Sequence, residues 1–280
     1  MGLAGGYFVV QFTAALLTGS LALLSDAGHM FTDVIGLGMA FAAATVAASA
    51  IPAGTRSFGL YRLEILAALG NAVLLLAVCG YILYESVQRL GAPEAIDAGV
   101  VLAVGVVGLG INIVSILLLR GAATESLNLR GAYLEVLADG LGSLGVIVAA
   151  VVTMATGWLA ADPLFAILIA LIIVPRALNL GRQALRILLQ MAPPHVDLDQ
   201  VRDDLARVEG VADVHDLHVW TLTSQMDVAS AHLTAAADAD QHRVLDEAKQ
   251  VLAAGYGIQH ATLQIEPAAH CGTCEPAPAW

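Results

Sequence analysis

The run Ser25-Asp26-Ala27-Gly28-His29-Met30-Phe31-Thr32-Asp33 decides the fold, because it sets ionisable groups inside the otherwise apolar stretch Leu24–Ala48. A helix needs about 20 apolar residues to cross the hydrocarbon core of a bilayer. A charge at that depth costs on the order of 3 kcal/mol, so it faces a cavity or a partner. His29 and Asp33 stand at i and i+4 and project from one helix face, a turn apart. The segment Tyr133-Leu134-Glu135-Val136-Leu137-Ala138-Asp139 repeats the device, with Glu135 and Asp139 at the same spacing.

Working outward, six segments have the length and apolarity of spans: Leu3–Leu21, Leu24–Ala48, Arg62–Val87, Ala98–Leu119, Asn128–Thr156 and Pro163–Leu180. The breaks at Ile51–Gly59 and Arg120–Glu125 read as true loops, and the others as tight hairpins. The 280-residue chain is 58% hydrophobic and 13% charged, with a mean hydropathy of +0.78, outside the soluble range. From Gln183 onward the composition changes: fourteen acidic residues stand against five basic ones, the pattern of a soluble acidic domain. The expected organisation is therefore a membrane domain over 1–182, an α+β domain over 183–267 and a Cys/His-containing tail over 268–280.

Basic residues set the orientation. With the N-terminus in the cytosol, Arg56, Arg62, Arg120, Arg130, Arg176, Arg182 and Arg186 fall inside and Arg89 alone falls outside. Both termini are then cytoplasmic, and the expected location is the plasma membrane, spanned several times. A net charge of −12 argues against nucleic acid and against polybasic attachment to anionic lipid. No basic region follows Met1, so no cleavable signal peptide is expected. Cys79, in an apolar helix, reads as packing. Gly28, Gly36, Gly38, Gly140, Gly142 and Gly145 suit close helix approach in lipid, and Asn71 and Asn112 suit hydrogen bonds between helices.

The two charged pairs carry the chemistry. Facing each other, they bring one imidazole and three carboxylates together at membrane depth. Three carboxylates in a low dielectric repel one another unless a cation or protons intervene. Four such ligands suit tetrahedral zinc. Ligand groups must be deprotonated to bind, so exchange of metal for protons follows from the same atoms. Isolated structural charges, paired with neighbouring helices, are the plainer alternative. Asp26, three residues before His29, is explained equally well by attraction of ions or by hydration at a helix end.

Beyond the membrane, Pro193-Pro194 closes a linker. A helix with Val201, Leu205 and Val208 on one face follows, then strands over Val211–Thr223 and Gln225–Thr234. A second helix over Asp238–Ala253 points Val244, Ala248 and Val251–Leu252 inward, and a third strand covers Gln259–Glu266. The α-β-β-α-β order predicts a small sandwich. His270-Cys271-Gly272-Thr273-Cys274 sets soft ligands at chelating spacing, suited to zinc in a reducing cytosol, and an unused flexible tail is the alternative. His218 and Trp220 read as packing or dimer contacts.

The sequence closely resembles the cation diffusion facilitator family of metal transporters, in its zinc-exporter-like subgroup. The likeness rests on Gly19-Ser-Leu-Ala-Leu-Leu-Ser-Asp-Ala-Gly-His29 with Asp33, and on Phe58-Gly-Leu-Tyr-Arg-Leu-Glu64. It continues through Ser126-Leu-Asn-Leu-Arg130 and Asp139-Gly-Leu-Gly-Ser143 to His215-Asp-Leu-His-Val-Trp220 and Thr262-Leu-Gln-Ile-Glu266. The resemblance implies six transmembrane helices, a metallochaperone-like cytosolic domain and a homodimer that exports metal against protons by alternating access. It also implies that His215, His232 and Glu266 bind regulatory metal.

Two departures matter. Zinc-selective members similar to this one carry His where this chain has Glu135, and oxygen ligands suit harder ions, so manganese, iron, cobalt and cadmium remain candidate cargoes. The stretch Ile51–Gly59 has no His or Asp, so a metal site that some members carry there is expected to be absent. Outside transport, a membrane metalloenzyme would need a general base and a substrate pocket, for which the sequence has no signature. A pure metal sensor would tolerate loss of one acid in each pair.

Overall fold

Only Gly19 and Ser20 separate helix α1 (Gly2–Thr18) from α2 (Leu21–Ala48). Gly19 takes a φ of 69°, a left-handed conformation that suits a residue without Cβ. Four more helices follow: α3 (Arg62–Gly91), α4 (Ala98–Ala122), α5 (Leu127–Thr156) and α6 (Ala161–Leu188). The computed structural model describes the backbone of residues 2–48, 58, 60–122, 127–223 and 226–267. Among the described residues, α3 to α6 are each long and apolar enough to cross a membrane. The α1 helix is shorter, at 17 residues, and α2 runs for 28 residues, about 42 Å at 1.5 Å per residue.

One unit is built on Met1–Phe41 with Ala67–Gly181. Its interior packs Leu21, Leu23, Leu75, Ile82, Val101, Val146, Ile169 and Ile173, while Leu17 and Leu118 stand 82% and 77% exposed. Large exposed aliphatic side chains on helices whose buried positions include Gln11, Asp26 and His29 suit lipid outside and polarity within. Gly28, Gly36 and Gly142 set close helix approaches, as expected, whereas nothing lies within 4 Å of a Cβ built at Gly38. A Cβ at Gly28 would come within 2.7 Å of Val78, and one at Gly36 within 2.7 Å of the Asn71 amide. Cys79 is buried in the same core. Asn112 Nδ2 donates to Ser143 Oγ at 3.3 Å, the interhelical bond that its position suggested.

The end of this unit near Gly19 is tied by charge. Asp162, at the start of α6, accepts from Ser20 Oγ at 2.5 Å and from the Leu21 amide at 2.6 Å. It thereby satisfies donors that the first turn of α2 would otherwise leave unpaired. Arg89, near the end of α3, donates to the Gly19 carbonyl and pairs with Glu85 and Glu94. The C-terminal ends of α1 and α3 and the N-terminal ends of α2 and α6 therefore share one side.

Helix ends depart from the expected spans: α1 stops at Thr18, Leu21 opens α2 instead of closing the first span, and the largest differences are at the C-terminal ends of α3 and α6. The α3 helix continues past Val87 to Gly91, and α6 runs to Leu188 rather than Leu180. Apolarity locates where lipid ends, not where a helix does. Arg182, Gln183 and Arg186 are good helix formers, so α6 persists into polar residues, through Pro175. Arg176, counted among the cytosolic charges although the expected span runs to Leu180, lies within α6.

The second unit is built on Ala42–Leu66 with Arg182–Trp280. Here α7 (Leu198–Ala206) precedes β1 (Val211–Thr223), β2 (Met226–Ala235), α8 (Gln241–Tyr256) and β3 (His260–Pro267). Asp197 and Asp240 cap the two helices by accepting amide protons of their first turns. The sheet order is β1-β2-β3, with β1 antiparallel and β3 parallel to β2, so α8 makes the crossover that a parallel pair requires. Val201, Leu205, Leu233, Val244, Ala248, Leu252 and Ile258 form its core. Leu252→Ala empties a fully buried site and is expected to cost about 2–5 kcal/mol, read as a lower midpoint of unfolding for this unit.

Candidate metal centres

Among the described residues, one group of three candidate ligands gathers in the second unit, and a pair of them meets in the helical unit. In the helical unit, His29 on α2 and Asp139 on α5 meet, with Nε2 at 3.2 Å from Oδ1. His29 is 7% exposed, and the Thr32 hydroxyl, bonded to the His29 carbonyl, lies on the following turn. Two ligands of a tetrahedral zinc ion at about 2.05 Å from the metal lie about 3.3 Å apart. The His29–Asp139 separation is that of a hydrogen bond or ion pair, and it also lies near that value. These two residues, with Asp26, Gly142, Ile169, Ile173 and Arg176, line a cavity of about 20 Å³, room for about one water or one small ion.

The remaining expected ligands of this set are differently situated. Glu135 lies one turn before Asp139 on α5, is exposed, and does not line the cavity. The Asp33 side chain lies outside the described residues. Of the two readings open for Asp26, burial goes against hydration at a helix end. Asp26 is 5% exposed, accepts from Gln11 Nε2 at 2.6 Å, and faces Ser143 Oγ at 3.4 Å. Its burial depends on Gln11 arriving from α1, a contact without a signature in the α2 sequence.

In the second unit, strand pairing assembles the other set. His215 on β1 stands opposite His232 on β2. Glu266 on β3 pairs with Thr234, two residues beyond His232, and the two-residue pleat keeps it on the same face. Glu266 Oε2 lies 3.3 Å from His215 Nε2, and Oε1 lies 3.0 Å from His232 Nδ1. One ligand atom from each residue falls within 4.8 Å of the others. Glu266 is 4% exposed and also accepts from Gln264 Nε2 at 2.7 Å. The Asp213 carboxylate lies 3.2 Å from His215 Nδ1 and orients that ring, as carboxylates do for metal-binding imidazoles. Two imidazole nitrogens and a carboxylate fit a zinc-type ion and leave a coordination position open.

A β-bulge changes one assignment. His215 pairs with His232 but His218 pairs with Ser230, so β1 has one residue more than β2 across this interval. Asp216 absorbs it at a φ of 50°. His218 therefore shares the sheet face of His215, where strict alternation would put it opposite, and it is exposed there. No local sequence signal marks that slip. His270, Cys271 and Cys274 lie outside the described residues.

Similarity to known proteins accords with this architecture. Residues 2–189 match the family described as the cation efflux transmembrane domain, and residues 193–268 match the cytoplasmic domain of cation efflux proteins. The metal cation efflux system protein CzcD of Cupriavidus metallidurans is 42% identical over 281 residues, covering 100% of this chain and 87% of that protein. Zinc transporter ZitB of Escherichia coli is 37% identical over 268 residues, covering 95% and 85% of the two chains. The cadmium, cobalt and zinc/H(+)-K(+) antiporter of Bacillus subtilis is 36% identical over 273 residues, covering 95% and 86%.

Proposed function

This chain belongs to the cation efflux family, and we propose from that premise that it expels divalent cations, zinc foremost, in exchange for protons. The cargo binds between α2 and α5, held by His29, Asp33, Glu135 and Asp139. The observation that carries this reading is the 3.2 Å approach of His29 to Asp139, two ionisable residues on different helices beside a cavity for one small ion. A cation there relieves the repulsion among the carboxylates, and protons relieve it when the cation leaves. All six helices of the N-terminal part span the plasma membrane in this reading, with both termini in the cytoplasm.

The cytoplasmic domain supports a homodimer. His215, His232 and Glu266 hold a regulatory zinc ion in this reading, with His270, Cys271 and Cys274 as further ligands from the tail. That ion supplies positive charge to a strongly acidic domain and so favours the association of two copies. The three side chains do the holding, while Asp213 and Gln264 fix the His215 ring and the Glu266 carboxylate.

Purified protein in proteoliposomes loaded with a pH dye tests the transport reading. An inward zinc gradient is expected to drive zinc uptake with matching proton efflux. Movement of manganese or iron but not zinc would replace the cargo, and no metal movement would end the reading. Cobalt and cadmium belong in the same panel, because the names of the relatives include them. Glu135→His is expected to raise the zinc-to-manganese flux ratio by about tenfold, since a second imidazole favours the borderline-soft ion.

A further inference from the structure

Asp26 is the buried charge that the four-ligand site does not use. It lies three residues before His29, about 4.5 Å along the helix toward the α1–α2 turn. Helices α1 and α5 reach it directly, and α4 reaches it through Ser143. Gln11 of α1 donates its Nε2 to Asp26 Oδ2 at 2.6 Å. Ser143 of α5 faces the same oxygen at 3.4 Å, and Asn112 of α4 donates to Ser143 at 3.3 Å. The other Asp26 oxygen points at Gly142, where a Cβ would lie only 2.7 Å away. Gln11 and Ser143 are 0% and 2% exposed.

Helix adhesion alone does not account for this arrangement. An amide and a hydroxyl suffice to bind helices in lipid, whereas a buried carboxylate adds a desolvation cost. A second feature points to a ligand. Gln11 Oε1 is buried and has no hydrogen-bond partner. With Nε2 toward Asp26, the amide satisfies an empty carboxylate. Turned about its terminal bond, it offers Oε1 instead, and two oxygens facing each other demand a cation between them.

Resting on the transport reading, we propose that Asp26, Gln11 Oε1 and Ser143 Oγ form an all-oxygen way station for the departing cation, beside the His29–Asp139 site. The Gln11 amide is its latch, donating to Asp26 when the station is empty and rotating to ligate when the ion arrives. Oxygen donors hold zinc less tightly than imidazole does, and a weaker second site lets a bound ion leave a strong first one. Gly142 is the residue that lets the carboxylate reach this position.

Zinc flux into proteoliposomes and equilibrium zinc binding to the purified full chain test this together. For Asp26→Asn, maximal flux is expected to fall at least tenfold, while half-saturating zinc and equilibrium binding stay within twofold of the parent. Asp26→Glu is expected to restore at least half the flux. Gln11→Met keeps the volume, removes the amide, and is expected to slow flux as Asp26→Asn does, which guards against misfolding of either variant alone. Parent-like flux in Asp26→Asn or Gln11→Met overturns the proposal. So does joint loss of flux and equilibrium binding in Asp26→Asn, which would make Asp26 a ligand of the main site. His29→Ala serves as the separate control: should it transport zinc normally, the transport-site reading fails whatever the Asp26 variants do.

Discussion

Asp139→Ala is expected to abolish zinc flux, by at least about a hundredfold. The oxygen it removes lies 3.2 Å from His29 Nε2 and lines the cavity that the ion would fill. Residues that merely orient ligands are worth about 10–100-fold in metal affinity, so loss of a ligand itself sets a lower bound there. The substitution also leaves His29 buried without its carboxylate neighbour on α5. Vesicle uptake of zinc with an internal fluorescent indicator measures the effect, and elution of the variant at the parent volume on size exclusion excludes unfolding. Flux within tenfold of the parent would show that the cation passes elsewhere.

The second large effect is expected from Glu266→Ala, read as zinc binding rather than transport. Titration should be done in the Asp139→Ala background, where the membrane site is disabled and binding to the cytoplasmic domain remains. Glu266 bridges His215 and His232 at 3.3 and 3.0 Å, so its loss removes the carboxylate between the two imidazoles and leaves the ion to them and to the tail ligands of the proposed site. Affinity is expected to fall at least about a hundredfold, equivalent to about 2.7 kcal/mol. Because a ligand that binds only the folded state stabilises it by mass action, zinc should raise the melting temperature of the Asp139→Ala protein and not that of the double variant. Unchanged calorimetric binding in the double variant would assign the residual zinc to other side chains.

How much of this was legible in the chain depends on the range of the interactions concerned. The i and i+4 spacing of His29 with Asp33, and of Glu135 with Asp139, is local, and it marks α2 and α5 without reference to any contact between them. The order α7-β1-β2-α8-β3 was legible for the same reason, since alternation and 3.6-residue periodicity are written residue by residue. Capping by Asp240 moved the start of α8 to Gln241, three residues beyond the expected Asp238, because the aspartate bonds the helix instead of joining it. Apolarity does not mark where a helix ends past the lipid, as in α6.

The sequence by itself determined a membrane bundle joined to a small α+β domain, together with the residue types able to bind a metal, because hydropathy and periodicity are properties of single segments. Tertiary structure alone decided which of those residues meet. It brought Gln11 of α1 onto Asp26 and turned an apparent helix-end charge into a buried one. It slipped β1 at Asp216 so that His218 joined the face of His215. Such pairings depend on how distant segments pack and register against each other, and a run of neighbouring residues does not encode that geometry.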